Sequence, residues 1–200
     1  MAPALLAVCL LSQSGPAPAP DRPRVLKAAR EVIARARYAT LVTLDAAGAP
    51  RARIVDPAPP EGEAFVVWIA TNARTRKAGE LQADGRAALA WFDRGGLATV
   101  TPPGRAELVT DPVEKSRRWR KARAPFYPGG ATDPDLALIR FHPSGLEISS
   151  PRHRLENDPS TWRPVTLSFE GGRRGGRGPP LSSPHAPPLP PARRHHAGGH

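Results

Sequence analysis

Apolar residues recur at Val25, Leu26, Ala29, Val32, Ile33 and Ala36, the three-to-four spacing of one helical face. Asp21 ahead of Arg22-Pro23 is a start signal, an N-cap residue with a proline just inside the helix. The pattern predicts an amphipathic helix over 24–37. The period then changes. Residues 38–44 are β-branched and apolar, 45–50 (Asp-Ala-Ala-Gly-Ala-Pro) form a turn signal, and 51–55 alternate. Alternation sets Arg51, Arg53 and Val55 on one strand face and Ala52 and Ile54 on the other, so a hairpin is expected. The unbroken apolar run 65–70 predicts a central strand buried on both faces. A short helix over 73–82 should follow, stopping near Asp84-Gly85.

Residues 87–92 and 97–101 predict a second hairpin around Asp93-Arg94-Gly95-Gly96. Pro102-Pro103 should break or bulge the pairing, because proline has no N–H to give to a ladder. Residues 105–109 resume a strand. Asp111-Pro112-Val113-Glu114 is a capping-box-like start for a helix reaching residue 124. Residues 137–141 and 146–149 are expected to pair around Pro143-Ser144-Gly145, and 165–169 to add a last short strand. Many short strands with helices at the edges predict a mainly β (α+β) fold, an antiparallel β-barrel with flanking helices.

Composition divides the chain further. Its 200 residues include 26 prolines and 18 glycines, with a net charge of +11. From Gly171 onward nearly every residue is Gly, Pro, Arg, His or Ser, too little apolar surface to offset the entropy of ordering. Residues 171–200 are therefore expected to be a disordered tail, leaving 21–170 as the domain. Five arginines and no acid give this tail +5 of the net +11. Charge alone would let it adhere to nucleic acid or anionic lipid. A basic low-complexity tract is weak support for either partner, and no specific nucleic acid is assigned.

Residues 4–11 are apolar, which fits a secretory h-region and a plain disordered leader equally and is too short to span a bilayer. Residues 1–20 are read as a leader or signal peptide, with no membrane span. The location is cytoplasmic or, with a cleaved signal, exported. Cys9 is the single cysteine, which excludes an intrachain disulfide and a cysteine metal site.

The densest chemistry sits at the step from strand to helix, Ala70-Thr71-Asn72-Ala73-Arg74-Thr75-Arg76-Lys77. A helix N-terminus offers free N–H groups and the positive end of the dipole to an anion. Thr71, Asn72 and Thr75 can donate neutral hydrogen bonds, Arg76 a planar fork and Lys77 a point charge, a set suited to phosphate. Arg53, on the neighbouring hairpin, would add a second fork. Read alone, the same charges suit a solvated helix face equally well. Arg117, Arg118, Arg120, Lys121 and Arg123 around Trp119 are read as such a face. No Ser-His-Asp order, carboxylate pair or metal-ligand spacing stands out, so no metal and no catalytic side chain are assigned.

Taken in order, Arg53-Ile54-Val55-Asp56-Pro57, the strand 65–68, Ala70-Thr71-Asn72, Thr75-Arg76-Lys77 and Glu80-Leu81 resemble a known pattern. It is the FMN-binding core of the pyridoxamine 5′-phosphate oxidase-like split barrels, in particular the bacterial general stress protein branch. The order continues with 87–92, Gly104-Arg105-Ala106, Asp111-Pro112 with Trp119, Phe126-Tyr127-Pro128 and Asp158-Pro159 with Thr161-Trp162-Arg163-Pro164, so the resemblance covers 28–169. It implies a split barrel and a homodimer with FMN in a groove between subunits. Thr75, Arg76 and Lys77 would hold the phosphate. Arg53 and Thr71 would lie near the isoalloxazine and ribityl chain, Val55 and Asn72 are further cofactor-binding residues, and Trp162 would approach the flavin or close the groove from the C-terminal side. A deazaflavin is the alternative cofactor. The C-terminal Arg-x-His segment of the vitamin B6 oxidases has no counterpart, so the expected activity is a flavin-dependent oxidation or reduction of an unassigned small molecule. A flavin-binding stress or storage protein without turnover is the alternative.

Overall fold

The computed structural model describes residues 21–169, and the leader and the tail lie outside the described residues. Helix α1 (Arg22–Ala36) buries Val25, Leu26, Ala28, Ala29, Val32 and Ile33, with Pro23 in its first turn. The Asp21 side chain makes no capping bond; its backbone oxygen takes the first helical bond, from the Val25 N–H, at 3.0 Å. Strands β1 (Ala39–Leu44) and β2 (Pro50–Val55) form the first hairpin, in register from Ala39–Val55 to Leu44–Pro50. Its turn is tied by the Asp45 carboxylate, which accepts from the N–H groups of Ala47 and Ala49 at 2.9 Å. Strand β3 (Val67–Asn72) leads into helix α2 (Arg76–Ala83).

The second half of the chain supplies β4 (Arg86–Asp93), β5 (Ala98–Thr101), β6 (Pro103–Val109), the short helix α3 (Pro112–Arg117), β7 (Leu136–Pro143), β8 (Gly145–Ser149) and β9 (Val165–Ser168). All pairings are antiparallel. One path runs β3-β7-β6-β4, and β1 joins β4 to β2. The C-terminal half of β4 leaves this path to pair with β5, which continues through β8 to β9. The result is an antiparallel split barrel that no ladder closes. Between β2 and β3 there is one bridge, Pro57–Ile69, and the Ala58 N–H donates to the Trp68 carbonyl at 2.8 Å.

Side chains from both parts meet in one core that includes Leu41, Phe65, Leu89, Trp91, Val100, Ile139, Phe141 and Ile148, all essentially inaccessible to water. Each such side chain contributes about 1.5–3 kcal/mol relative to an exposed one. Helix α1 packs on β4 and β5, and α2 plugs the barrel end against β1 and β6, burying Ala78, Glu80 and Leu81.

Four expectations change. The strand predicted as central, β3, is an edge: its one full ladder is with β7. It reads as buried on both faces because Arg118 covers its outer side, with the guanidinium carbon 3.7 Å from the Trp68 ring centre. The helix predicted from 73 begins only at Arg76, since 73–75 form the turn that exposes its N-terminus. The helix predicted to reach residue 124 ends at Arg117 and gives way to a 3₁₀ turn, Lys121–Arg123. Its start is as read, with the Asp111 carboxylate accepting from the Glu114 N–H at 2.9 Å. The contacts of Arg118 override the helical propensity of residues 119–124.

Finally, 137–141 and 146–149 do not pair with each other. Strands β7 and β8 run on in one direction beside β6 and β5, with a one-residue bulge at Ser144. Pro102-Pro103 faces that bulge, while its register with β4 continues unbroken from Trp91–Val100 to Ala88–Pro103. The carbonyls of the two prolines do the pairing: Pro102 accepts from the Leu89 N–H at 3.1 Å and Pro103 from Ser144 at 2.9 Å. Among the described residues no helix is long and apolar enough to cross a membrane.

Candidate functional site

The turn Asn72–Thr75 sets the direction of α2. The Asn72 Oδ1 accepts from the Arg74 N–H at 2.8 Å, an Asx turn. The Asn72 carbonyl accepts from the Thr75 hydroxyl at 2.7 Å. Thr75 is the N-cap residue, but its side chain is turned back in this way and caps no helical N–H. The open first turn thus points into a shallow cleft of about 280 Å³ lined by Arg53, Thr75, Arg76 and Lys77.

Arg53 arrives from β2. Its strand alternates as read, but the arginine face turns inward: Arg53 is half-buried and Val55 buried, whereas Ile54 is 68% exposed. Inside, Arg53 meets two residues that were not predicted as site residues. Its Nη1 donates to the Thr43 hydroxyl, and its Nη2 lies 2.6 Å from Glu80 Oε2. The Thr43 hydroxyl itself donates to the same carboxylate oxygen at 2.5 Å. On the other carboxylate oxygen, Arg76 Nε approaches to 3.0 Å as an ion pair, without the alignment of a hydrogen bond. Glu80 was legible in part, as an acid four residues after Arg76 on one helix face. Thr43 carried no signal beyond its place in an alternating strand.

Charge in the cleft is unbalanced. Arg53, Arg76 and Lys77 line it, and among the described residues Glu80 is the one carboxylate paired with them, which leaves two positive charges. Burial first, then the neighbouring Arg53, push the Lys77 ammonium below its ordinary pKa, and Glu80 offsets this only in part. A phosphate monoester carries about −1.5 to −2 at neutral pH, which matches the excess, and the open N–H groups of α2 suit the same ligand. The donor set fits a phosphate.

The remaining predicted residues lie elsewhere. Thr71 projects into the barrel, 3% exposed, with its hydroxyl unpaired. Asn72 and Ala70 project outward into an adjoining groove of about 390 Å³ with Asp56, Arg123, Phe126 and Tyr127. There Arg123 is half-buried. Burial and the nearby Arg120 hold its pKa below the ordinary arginine value, while burial raises that of the Tyr127 phenol. Trp162 is brought to neither place. It is 77% exposed, on a turn tied by Asp158, with left-handed backbone (φ 58°).

The sequence model described as Pyridoxamine 5′-phosphate oxidase matches residues 25–149, a span that holds the whole cleft. The chain belongs to the pyridoxamine 5′-phosphate oxidase family. Solved structures share the fold. A protein from Clostridium acetobutylicum related to general stress protein 26 of B. subtilis superposes with a TM-score of 0.61 at 19% identity, over 74% of this chain and 96% of that one. The general stress FMN/FAD binding protein of Xanthomonas citri gives 0.55 at 25% identity, over 65% and 90%. A pyridoxamine 5′-phosphate oxidase-related, FMN binding protein of Nostoc punctiforme gives 0.52 at 16%, over 72% and 93%. No curated protein matches the sequence. The strand-to-helix step, Thr43 and Glu80 all lie within the matched span, and the tertiary structure adds that Thr43 and Glu80 meet Arg53.

Proposed function

We propose that the protein binds FMN, with the phosphate in the cleft at the α2 N-terminus. The observation that carries this reading is the pair of excess positive charges around Arg53, Arg76 and Lys77, in a chain of this family. Thr75, Arg76 and Lys77 would hold the phosphate together with the first N–H groups of α2. Asn72, which projects outward, would contribute beside the ring, whereas Val55 and Thr71, turned into the barrel, would contribute through their backbone groups. FMN is preferred to a deazaflavin as the first cofactor to test.

When bound, the flavin supplies hydride transfer, and the protein supplies binding, orientation and charge. The groove beside Asn72, with Arg123 and Tyr127, is where a small molecule would meet the ring, and the proposed activity is an oxidoreductase on such a substrate. A homodimer is part of the same reading. Tyr38, Ile54 and Phe92 are 49%, 68% and 56% exposed and border one apolar hollow of about 380 Å³. A second copy would cover this face, and Trp162 would reach the flavin of either copy. The domain 21–170 would carry all of this, with the leader and tail outside it.

The test is the visible absorption spectrum of protein purified without added cofactor, with the released chromophore identified by mass. Yellow protein that releases FMN is the expected outcome. Colourless protein that ignores added FMN overturns the reading.

A further inference from the structure

Glu80 is 6% exposed, yet it is neither isolated nor at a surface. A buried carboxylate gains little net stability from its partners, because desolvation offsets most of the Coulomb attraction. Its geometric effect on those partners is larger. Arg53 spends the end of its guanidinium on the protein, with Nη1 on Thr43 and Nη2 on Glu80 Oε2. Thr43 and Glu80 are bonded to each other at 2.5 Å, so that end is docked on a fixed pair. The side edge of Arg53, Nε–H with the second N–H of Nη2, is left for a ligand. Arg76 is held the opposite way. Its Nε is drawn to Glu80 Oε1 at 3.0 Å, which leaves the two terminal nitrogens.

We propose that Glu80 is a positioning residue of the phosphate cleft: one buried carboxylate holds one edge of Arg53 and one edge of Arg76 and leaves the other edge of each for the phosphate. This rests on the reading of the cleft as a phosphate site. Glu80 makes no contact with the phosphate in this arrangement. It acts by restricting two long side chains before the ligand arrives, which removes part of the ordering cost of binding.

The opposing effect is electrostatic. A negative charge beside a phosphate site repels the ligand, so removing it would favour binding if the arginines stayed in place. That placement weakens without Glu80: among the described residues it is the one carboxylate paired with either arginine, so Arg76 loses its partner and Arg53 keeps Thr43 alone. The carboxylate is also ionised when the ligand arrives. Burial pushes its pKa up, but the bonds from Thr43 and Arg53 and the charges of Arg53 and Arg76 outweigh this and hold it below the ordinary glutamate value.

The test compares FMN with riboflavin, which lacks the phosphate, by flavin fluorescence titration of the full chain. In wild type FMN binds more tightly, and the ratio of the two affinities measures the phosphate contribution. In Glu80→Gln the FMN affinity is expected to fall roughly tenfold, the effect of losing the pre-ordering of two long side chains, with riboflavin affinity unchanged. A ratio that stays constant or rises overturns the proposal. An equal loss of both affinities also overturns it, since Glu80 would then act only as part of the barrel plug. Glu80→Asp keeps the charge with a shorter reach and should lower the ratio less; if Glu80→Gln does not fold, an unchanged ratio in Glu80→Asp is the overturning result. Wild type that binds FMN no more tightly than riboflavin defeats the phosphate-site reading itself, and the proposal with it.

Discussion

The Arg118 guanidinium carbon lies over the Trp68 ring, 3.7 Å from its centre. Two carboxylates fix it there. Glu61 takes both terminal nitrogens, at 2.5 and 3.0 Å, and Glu114 takes Nε at 3.0 Å. The pair joins the end of α3 to the edge strand β3 and covers Trp68 on the outer face of that strand. A basic stretch read as solvated is thus divided: Arg118 and Arg123 are part-buried in the wall of a cavity, whereas Arg117 and Arg120 border it and, like Lys121, are exposed.

Arg118→Ala is expected to destabilise the protein by about 1–3 kcal/mol, because it removes the contact with Trp68, deprives Glu61 of its arginine and leaves Glu114 the longer pair with Arg117 at 3.9 Å. Urea unfolding followed by circular dichroism reads this. A change below about 0.5 kcal/mol, the range of an ordinary surface substitution, would return Arg118 to the solvated face.

Arg76→Ala combined with Lys77→Ala is expected to abolish FMN retention with the fold intact. Charge-assisted bonds of this kind contribute about 1.5–3 kcal/mol each, so the double variant should weaken FMN at least a hundredfold, since 1.4 kcal/mol is about tenfold. Equilibrium titration gives the affinity and circular dichroism the fold. Full flavin occupancy in the double variant would refute the phosphate assignment.

Gly104→Ala tests the seam of the split. An added Cβ would sit 2.2 Å from the His142 carbonyl oxygen and 2.8 Å from Pro143 Cα, both backbone atoms of the neighbouring strand. Neither can rotate away, so β6 and β7 must separate. The expected cost is about 1–3 kcal/mol or more, seen as a lower thermal midpoint. An unchanged midpoint would mean that the two strands approach less closely than described.

Ile54→Glu places a charge at the centre of the apolar face with Tyr38 and Phe92. If a second copy covers this face, burying an unpaired carboxylate there raises the dimer dissociation constant at least tenfold, about 1.4 kcal/mol. Sedimentation equilibrium measures it. If the cofactor lies between two copies, as proposed, flavin should be lost in parallel. A wild-type protein that sediments as a monomer with FMN bound contradicts the proposal.

The turn that carries Trp162 should be sensitive to acid alone. Asp158 Oδ1 accepts from the Ser160 hydroxyl at 2.6 Å, the Thr161 N–H at 2.8 Å, the Thr161 hydroxyl at 3.0 Å and the Ser160 N–H at 2.9 Å. These bonds, the Ser160 hydroxyl foremost, lower its pKa from 3.8 to about 2. The folded value is the depressed one. The contribution of the turn is therefore complete above pH 3.8 and is lost as the pH falls through about 2. The amide resonances of Ser160 and Thr161 should move with that lower midpoint, and Asp158→Asn should abolish the transition. A midpoint at the ordinary aspartate value would show that the four bonds do not persist in solution.

Local pattern alone determined a good deal. The helix stripe from Val25 to Ile33, the first hairpin with its Asp45 turn, the hairpin around Asp93–Gly96 and the Asp111 cap all depend on side chains within a few positions of each other, and all are present. So is the mainly β antiparallel sheet with flanking helices, because alternation and turn chemistry act locally; that the barrel is split was implied by the resemblance to the family and not by local pattern. The cluster Thr75-Arg76-Lys77 was legible for the same reason. It lies at a helix start, where the residues in sequence are also the residues in space.

Only the tertiary structure decided which groups lie between those elements. Nothing near Glu80 in sequence announces Thr43 or Arg53, which are 37 and 27 positions away. Their meeting depends on how α2 plugs the barrel. The edge position of β3 was hidden because burial by a distant arginine and burial by a neighbouring strand leave the same apolar run. The path of β7 into β8 was hidden because a proline-glycine signal marks a bend equally well whether the chain reverses or runs on past a bulge. In each case the deciding energy is a contact between distant residues, and a local pattern carries no record of it.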